Sequence, residues 1–125
     1  MTSIELAERI AKLAWEKKGQ EITLLDLRGL TDVSDFFVIV NGESDIHVKA
    51  IFEYVEKELR NEGLHAWHRE GFQKLNWVLL DYIDVVLHVF RPQTREFYDL
   101  ERLWGDAKII KIEGEDVPDR LIPEE

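Results

Sequence analysis

The sequence predicts an α/β fold, in which a mixed β-sheet of about five strands is flanked by helices. Two observations support this class. Amphipathic helical segments alternate with short runs of β-branched and aromatic residues, in the order α-β-β-α-β-β-β-α. The run at residues 36–40 is apolar throughout, as expected for a strand covered on both faces. The 125 residues, 45% hydrophobic and 34% charged, suffice for one packed domain.

The first helix is predicted over residues 3–18. Its apolar side chains recur at helical spacing, at Leu6, Ala7, Ile10, Leu13 and Ala14. Thr2 and Glu5 have the spacing of a capping box, in which each side chain satisfies a backbone N–H of the first turn. Gly19 is suited to end the helix.

Two strands and a second helix are predicted next. Residues 22–27 and 36–40 are the strands, and the second of them ends at the turn signal Asn41-Gly42. Ser44 is a candidate N-cap for a helix over about residues 45–61. The apolar stripe of that helix consists of Val48, Ile51, Phe52, Val55 and Leu59.

The remaining elements follow closely on one another. Three strand candidates lie at about residues 65–70, 76–81 and 84–90. Only Tyr82 and Ile83 separate the last two, which predicts a tight hairpin. A third helix is predicted from Pro92 to Gly105, carrying Phe97, Leu100, Leu103 and Trp104. Residues 108–112 are a candidate for a further strand.

Charge and composition limit the function. The net charge of −10 disfavours tracking of a phosphate backbone, so DNA is not an expected partner. The absence of cysteine excludes disulfides, Cys-ligated metal centres and a Cys nucleophile. No signal or transit pattern begins the sequence, and no apolar run approaches the roughly 18 residues of a membrane span. A cytoplasmic protein without a membrane contact is expected.

Residues 1–112 are predicted to form the single domain, and residues 113–125 a flexible acidic tail. The tail contains six acidic residues and one basic residue, so it carries half of the net charge of −10. It also contains Pro118 and Pro123, which disfavour regular structure.

Several polar residues could take part in chemistry. Asp81 and Asp84 could help to hold magnesium, but a spacing of three across a turn favours turn-bounding aspartates. His65 and His68 would point to opposite faces of a strand, so a shared metal ion is not expected. His88 lies within an apolar strand and is predicted to be a core histidine.

A strand surface offers a second kind of site. Trp77 and Leu79 share one face by strand alternation, and Val78 and Leu80 share the other. If the Trp77 face is exposed, an apolar patch rimmed by acids is typical of a protein-docking surface. Burial of Trp77 in the core is the alternative, and the pattern alone does not decide between them.

Several segments of the sequence, taken in their order along the chain, resemble the ribosomal silencing factor family, also called the Iojap family. The matching residues lie within about residues 3–107, at 34–39, 48–51, 70–71, 77–82, 84–86, 88–90, 95–101 and 103–104. The resemblance implies a nucleotidyltransferase-like fold without its catalytic acids. It also implies a non-enzymatic protein that needs neither a cofactor nor a metal, and that forms a homodimer when free.

The resemblance further implies binding to the large ribosomal subunit through ribosomal protein number fourteen. Occupying that face would block joining of the small subunit and repress translation when nutrients are scarce. The contact residues that we predict are Trp77, Leu79, Asp81, Tyr82 and Asp84. A magnesium-dependent nucleotidyltransferase-like enzyme and a homodimeric adaptor for another basic protein are the alternatives.

One position departs from the family pattern. The family usually has glycine where Ile83 stands, in the turn after Tyr82. A β-branched residue resists the positive φ that such a turn requires. We therefore expect another turn type at this position, which leaves the orientations of Tyr82 and Asp84 open.

Overall fold

A six-stranded mixed sheet organises the computed structural model, which describes residues 1–112. The elements are α1 (Ser3–Glu16), β1 (Gln20–Asp26), β2 (Phe36–Asn41), α2 (Asp45–Asn61), β3 (His68–Glu70), β4 (Trp77–Asp81), β5 (Val85–Phe90), α3 (Pro92–Tyr98), α4 (Leu100–Leu103) and β6 (Lys108–Lys111). The strand order is β3-β4-β5-β2-β1-β6. The predicted tail, residues 113–125, lies outside the described residues. Among residues 1–112, none of the helices has the length and hydropathy of a membrane span.

The predicted α/β class is confirmed, and the two long helices form as expected. Thr2 and Glu5 make both hydrogen bonds of the capping box at the start of α1. Ser44 caps α2 through a bond from the His47 N–H to its hydroxyl oxygen. The apolar stripes of α1 and α2 cover one face of the sheet, which we call the α1/α2 face.

The centre of the sheet is its most buried part. β2 and β5 pair in parallel, and every residue of both strands is buried. The other strand pairs are antiparallel. The all-apolar sequence at residues 36–40 thus predicted correctly a strand covered on both faces. On the face opposite α1 and α2, the cover comes from the segment that contains α3 and α4.

The candidate strand at residues 108–112 is confirmed, because residues 108–111 pair with β1 as β6 and bring the sheet to six strands. One sequence prediction needs correction. The single third helix is instead two short helices, broken at Asp99, which adopts a left-handed φ of 46°. The Asp99 carboxylate accepts a bond from the Arg102 N–H, which starts α4. The apolar spacing continues across this break, so periodicity alone could not show it.

The hairpin turn between β4 and β5 also differs from the expectation. Ile83 adopts a φ of 74°, although it is β-branched. The Asp84 N–H donates to the Tyr82 carbonyl oxygen, and the Ile83 N–H donates to Asp81 Oδ1 at 2.7 Å. An i→i+2 bond at positive φ is the strained form of the γ-turn. The turn therefore keeps the positive φ, and side-chain and backbone bonds hold Ile83 there.

The variant Ile83→Gly is expected to be more stable than the wild type by about 1 kcal/mol. Glycine adopts a positive φ without a Cβ penalty, and this gain exceeds the extra entropy of the unfolded chain. Ile83 is 59% exposed, so little apolar burial is lost. Urea denaturation measures the change. Unchanged or lower stability would show that Ile83 is not strained.

Candidate functional site

The β4 strand presents alternate residues to two different environments. Val78 and Leu80 are fully buried on the α1/α2 face. Trp77, Leu79 and Asp81 point to the opposite face and are only partly buried. The predicted alternation is confirmed, and the Trp77 side is the less covered one.

Trp77 has an intermediate position between the core and solvent. Its indole stacks on Phe90 at a centroid distance of 4.9 Å and contacts Tyr98 of α3 at 4.8 Å. Its Nε1–H donates to His88 Nδ1 at 3.0 Å. The side chain is therefore held by ring contacts and a hydrogen bond while it stays partly exposed, as is typical of an interface anchor.

Exposed aromatic side chains on α3 extend this surface. Phe97 is 81% exposed and Tyr98 is 51% exposed, and their rings are in contact. Together with Trp77 and Leu79 they form what we call the Trp77 surface. A groove of about 880 Å³ runs beside it. The groove is lined by Arg69, Glu70, Gly71, Phe72, Gln73, Lys74, Asn76, Trp77, Gln93, Thr94, Phe97 and Tyr98.

Acidic groups border the Trp77 surface. Asp81 follows Leu79 on the same face of β4, and Glu70 of β3 lies opposite Leu79 in the antiparallel register. Glu70 is exposed and lies 3.5 Å from His68. The patch thus combines an apolar centre with carboxylates at its edge, which suits a partner with Lys or Arg side chains around an apolar contact.

The structure does not bring all five predicted contact residues together. Trp77, Leu79 and Asp81 share one face, and Asp84 is exposed in the adjoining turn. Tyr82 is 8% exposed and packs into the core on the α1/α2 face. Burial raises the pKa of its phenol, so Tyr82 stays neutral at physiological pH. Tyr82 therefore adds almost no accessible area to the face that carries Trp77.

The interpretation of Asp81 as a turn residue fits its contacts. Its Oδ1 is engaged by the Ile83 N–H, and the Asp84 carbonyl oxygen accepts from Ser34 Oγ at 2.9 Å. Within residues 1–112 no group of three or more His, Asp or Glu side chains is arranged to hold a metal ion.

Arg95 holds α3, which carries part of the Trp77 surface, against the sheet. Sequence reasoning missed this role. Its guanidinium donates to the Glu21 carbonyl oxygen at 2.6 Å, to Asn41 Oδ1 at 3.0 Å and to Thr23 Oγ1 at 3.0 Å. These bonds fasten α3, which carries Phe97 and Tyr98, to the sheet. The helical spacing gives no signal that this arginine turns inward, since its partners lie 54 to 74 residues away.

Gly71 fixes the backbone beside Trp77. Its φ is 91°, and a Cβ built on it would lie 1.9 Å from the Trp77 carbonyl oxygen. The variant Gly71→Ala is therefore expected to lose about 2 kcal/mol of stability, because the loop must move and the backbone is strained. Thermal unfolding measures this loss. Gly63→Ala is the matched control for positive φ, because nothing lies within 4 Å of its Cβ position. Equal losses would refute the steric role of Gly71.

Comparison with known proteins gives three similarities. The model of the family described as "Ribosomal silencing factor during starvation" matches residues 1–124. "Ribosomal silencing factor RsfS" of Halalkalibacterium halodurans is 36% identical over 114 residues, which are 91% of this chain and 97% of that protein. A mouse protein named "Mitochondrial assembly of ribosomal large subunit protein 1" is 26% identical over 92% of this chain and 54% of its own length.

A solved structure is similar as well. The crystal structure of a Chromobacterium violaceum protein superimposes with a TM-score of 0.81 at 34% sequence identity. The match covers 84% of this chain and 88% of that one. The mixed sheet and its helices are thus an arrangement already seen by experiment in a related sequence.

Proposed function

The chain belongs to the ribosomal silencing factor family, and on that premise we propose that it binds the large ribosomal subunit and sterically blocks joining of the small subunit. The result is repression of translation under nutrient limitation, in the cytoplasm. The mechanism needs no catalytic step. Its contact within the large subunit is ribosomal protein number fourteen, the partner that the family resemblance implies.

The observation that carries this proposal is the Trp77 surface. It is an apolar patch on a sheet face that α3 and α4 leave partly open, and Phe97 at 81% exposure stands at its edge. Large aromatic side chains that neighbouring residues already hold in place, while part of the ring stays accessible, lose little conformational entropy on binding. The mouse relative's name, which refers to the large ribosomal subunit, also supports the choice of subunit.

The charge distribution supports a basic protein as the contact. The chain carries a net charge of −10, and Asp81 and Glu70 border the apolar patch. Arg69 and Lys74 line the adjoining groove, but the excess of acidic groups on the chain disfavours a phosphate backbone and favours Lys and Arg side chains. The attraction also predicts binding that weakens as salt increases, because the rim carboxylates are accessible to solvent.

Sedimentation of purified subunits tests the proposal. Large and small subunits are mixed, with and without the protein, at a magnesium concentration that normally permits joining. We expect the protein to travel with the large subunit and the joined peak to disappear. If the protein stays at the top of the gradient and joining is unchanged, the proposal is wrong. Travel with the small subunit alone would also refute it.

The homodimer that the family resemblance implies is a separate proposal. The free protein is expected to elute at twice its monomer mass of 14.7 kDa in size exclusion with light scattering. A monomer at all accessible concentrations would contradict it. The proposed binding to the large subunit does not depend on this result.

A further inference from the structure

His88 is a polar residue within an apolar strand, and the proposed function gives it no role. It lies in the middle of β5, on the same face as Trp77, and is only 3% exposed. Its cross-strand neighbour on β4 is Leu79, and on β2 it is Ile39. A polar side chain at the centre of a sheet is costly unless it makes a hydrogen bond, and the bond of His88 is to Trp77.

The chemistry of that bond fixes the protonation of the imidazole. The Trp77 indole nitrogen carries a hydrogen and can only donate, so His88 Nδ1 must be the acceptor. A neutral ring then carries its proton on Nε2, for which residues 1–112 offer no hydrogen-bond partner. Burial lowers the pKa of His88 to about 3, which keeps the ring neutral at physiological pH. His88 is thus an uncharged acceptor at all ordinary pH values.

The hydrogen bond to His88, and not the contacts with neighbouring rings, sets the orientation of the Trp77 indole. Phe90 and Tyr98 contact Trp77 at 4.9 and 4.8 Å, but ring contacts of this kind tolerate several orientations. The bond to Nδ1 selects one of them, since the indole has a single polar atom. His88 itself is fixed by an edge contact from Phe37, with ring centroids 4.5 Å apart.

We propose that His88 is a positioning residue, which fixes the Trp77 indole in the orientation used for docking. This inference rests on the proposed function. Holding an anchor in its bound orientation reduces the entropy lost on association. His88 acts through Trp77 alone and does not itself contact the partner, because it lies beneath the surface.

Nitrogen-detected NMR of the free protein tests the hydrogen bond. We expect His88 to show a protonated Nε2 and an unprotonated Nδ1 coupled to Trp77 Nε1. The Trp77 indole hydrogen should exchange with solvent far more slowly than that of Trp67, whose side chain is 74% exposed. An indole hydrogen that exchanges as fast as that of Trp67, or a His88 protonated on Nδ1, would overturn the proposal before any binding is measured.

Binding to the large subunit tests the positioning role. The variant His88→Phe keeps a ring but removes the acceptor, and we expect about fivefold weaker binding, equivalent to one net hydrogen bond of about 1 kcal/mol. His88→Asn places an oxygen near the Nδ1 position and should restore most of the affinity. In the background Trp77→Phe, which lacks the donor, His88→Phe should have no further effect.

The binding experiments can refute the positioning role of His88 in two ways. If His88→Phe is folded and binds as tightly as the wild type, His88 is not a positioning residue. Val55→Ala, in the core on the α1/α2 face, controls for lost stability, and an equal loss of binding there would also refute the inference. If the wild type does not bind the subunit, the proposed function fails and the docking role of His88 fails with it. The NMR result still decides whether the hydrogen bond exists.

Discussion

Replacing Trp77 with alanine is expected to weaken binding to the large ribosomal subunit by at least about 30-fold. Truncation of a central aromatic anchor typically costs about 2 kcal/mol or more of binding free energy. Trp77 has this position because Phe90 and Tyr98 pack against its ring, while the side chain stays partly exposed and lines the groove. Co-sedimentation over a range of protein concentrations gives the dissociation constant.

The loss must be separated from unfolding, because Trp77 is partly buried. Trp77→Ala is expected to lose about 2 kcal/mol of stability and to remain folded, since Trp77 is only partly buried and the larger core on the α1/α2 face does not include it. Circular dichroism of the same samples checks this. Ile46→Ala is the control for removing an exposed apolar side chain, because Ile46 is 82% exposed at the start of α2.

Two outcomes would contradict the assignment. A folded Trp77→Ala protein with wild-type affinity would show that the Trp77 surface does not dock. Equal weakening by Ile46→Ala would show that the binding surface is not confined to this face of the sheet. If Trp77→Ala does not fold at all, Trp77→Phe keeps the ring packing and answers the same question, with a smaller expected loss.

Acid is expected to destabilise the protein through His88. The pKa of this ring is about 3 in the folded protein and about 6.5 in the unfolded chain. Between these values the unfolded state binds a proton that the folded state does not, so the free energy of unfolding falls as the pH falls. The contribution is about 1.4 kcal/mol per pH unit, or about 3 kcal/mol at pH 4.5 relative to pH 7. Below about pH 3 both states are protonated, and no further loss follows.

Comparison with His88→Phe isolates this contribution from those of the carboxylates. Urea denaturation at several pH values gives the free energy of unfolding of both proteins. The difference between them should shift in favour of His88→Phe by about 3 kcal/mol between pH 7 and pH 4.5. If the free energies of unfolding of the two proteins change in parallel with pH, His88 takes up a proton in the folded state as readily as in the unfolded chain. That result would contradict the effect expected from its burial.

Local rules account for much of the fold. The capping box at Thr2 and Glu5 and the Ser44 cap follow from hydrogen bonds within one turn, so spacing alone predicts them. Strand alternation is equally local, because successive side chains of a pleated strand point to opposite faces, and it placed Trp77 and Leu79 on one face. The all-apolar run at residues 36–40 predicted a strand covered on both faces, because burial on both faces leaves no polar position.

The same local rules failed where the backbone changes direction. The break at Asp99 interrupts a helix whose apolar spacing continues, and a left-handed φ leaves no periodic signal. Tyr82, by contrast, follows the alternation of Val78 and Leu80 and packs on the α1/α2 face, away from the Trp77 surface to which we had assigned it. Ile83 was expected to avoid a positive φ, yet hydrogen bonds around the turn hold it there.

The sequence by itself therefore determined the element types, the buried strands and the family of this protein. Only the tertiary structure decided how Trp77 is held. His88 is 11 residues away along the chain and reaches it through the register of β4 and β5. Arg95 likewise meets partners from β1 and β2 that only the assembled sheet brings together. Spacing reports neighbours within one element, whereas a docking surface is built from contacts between elements, and those depend on register and packing.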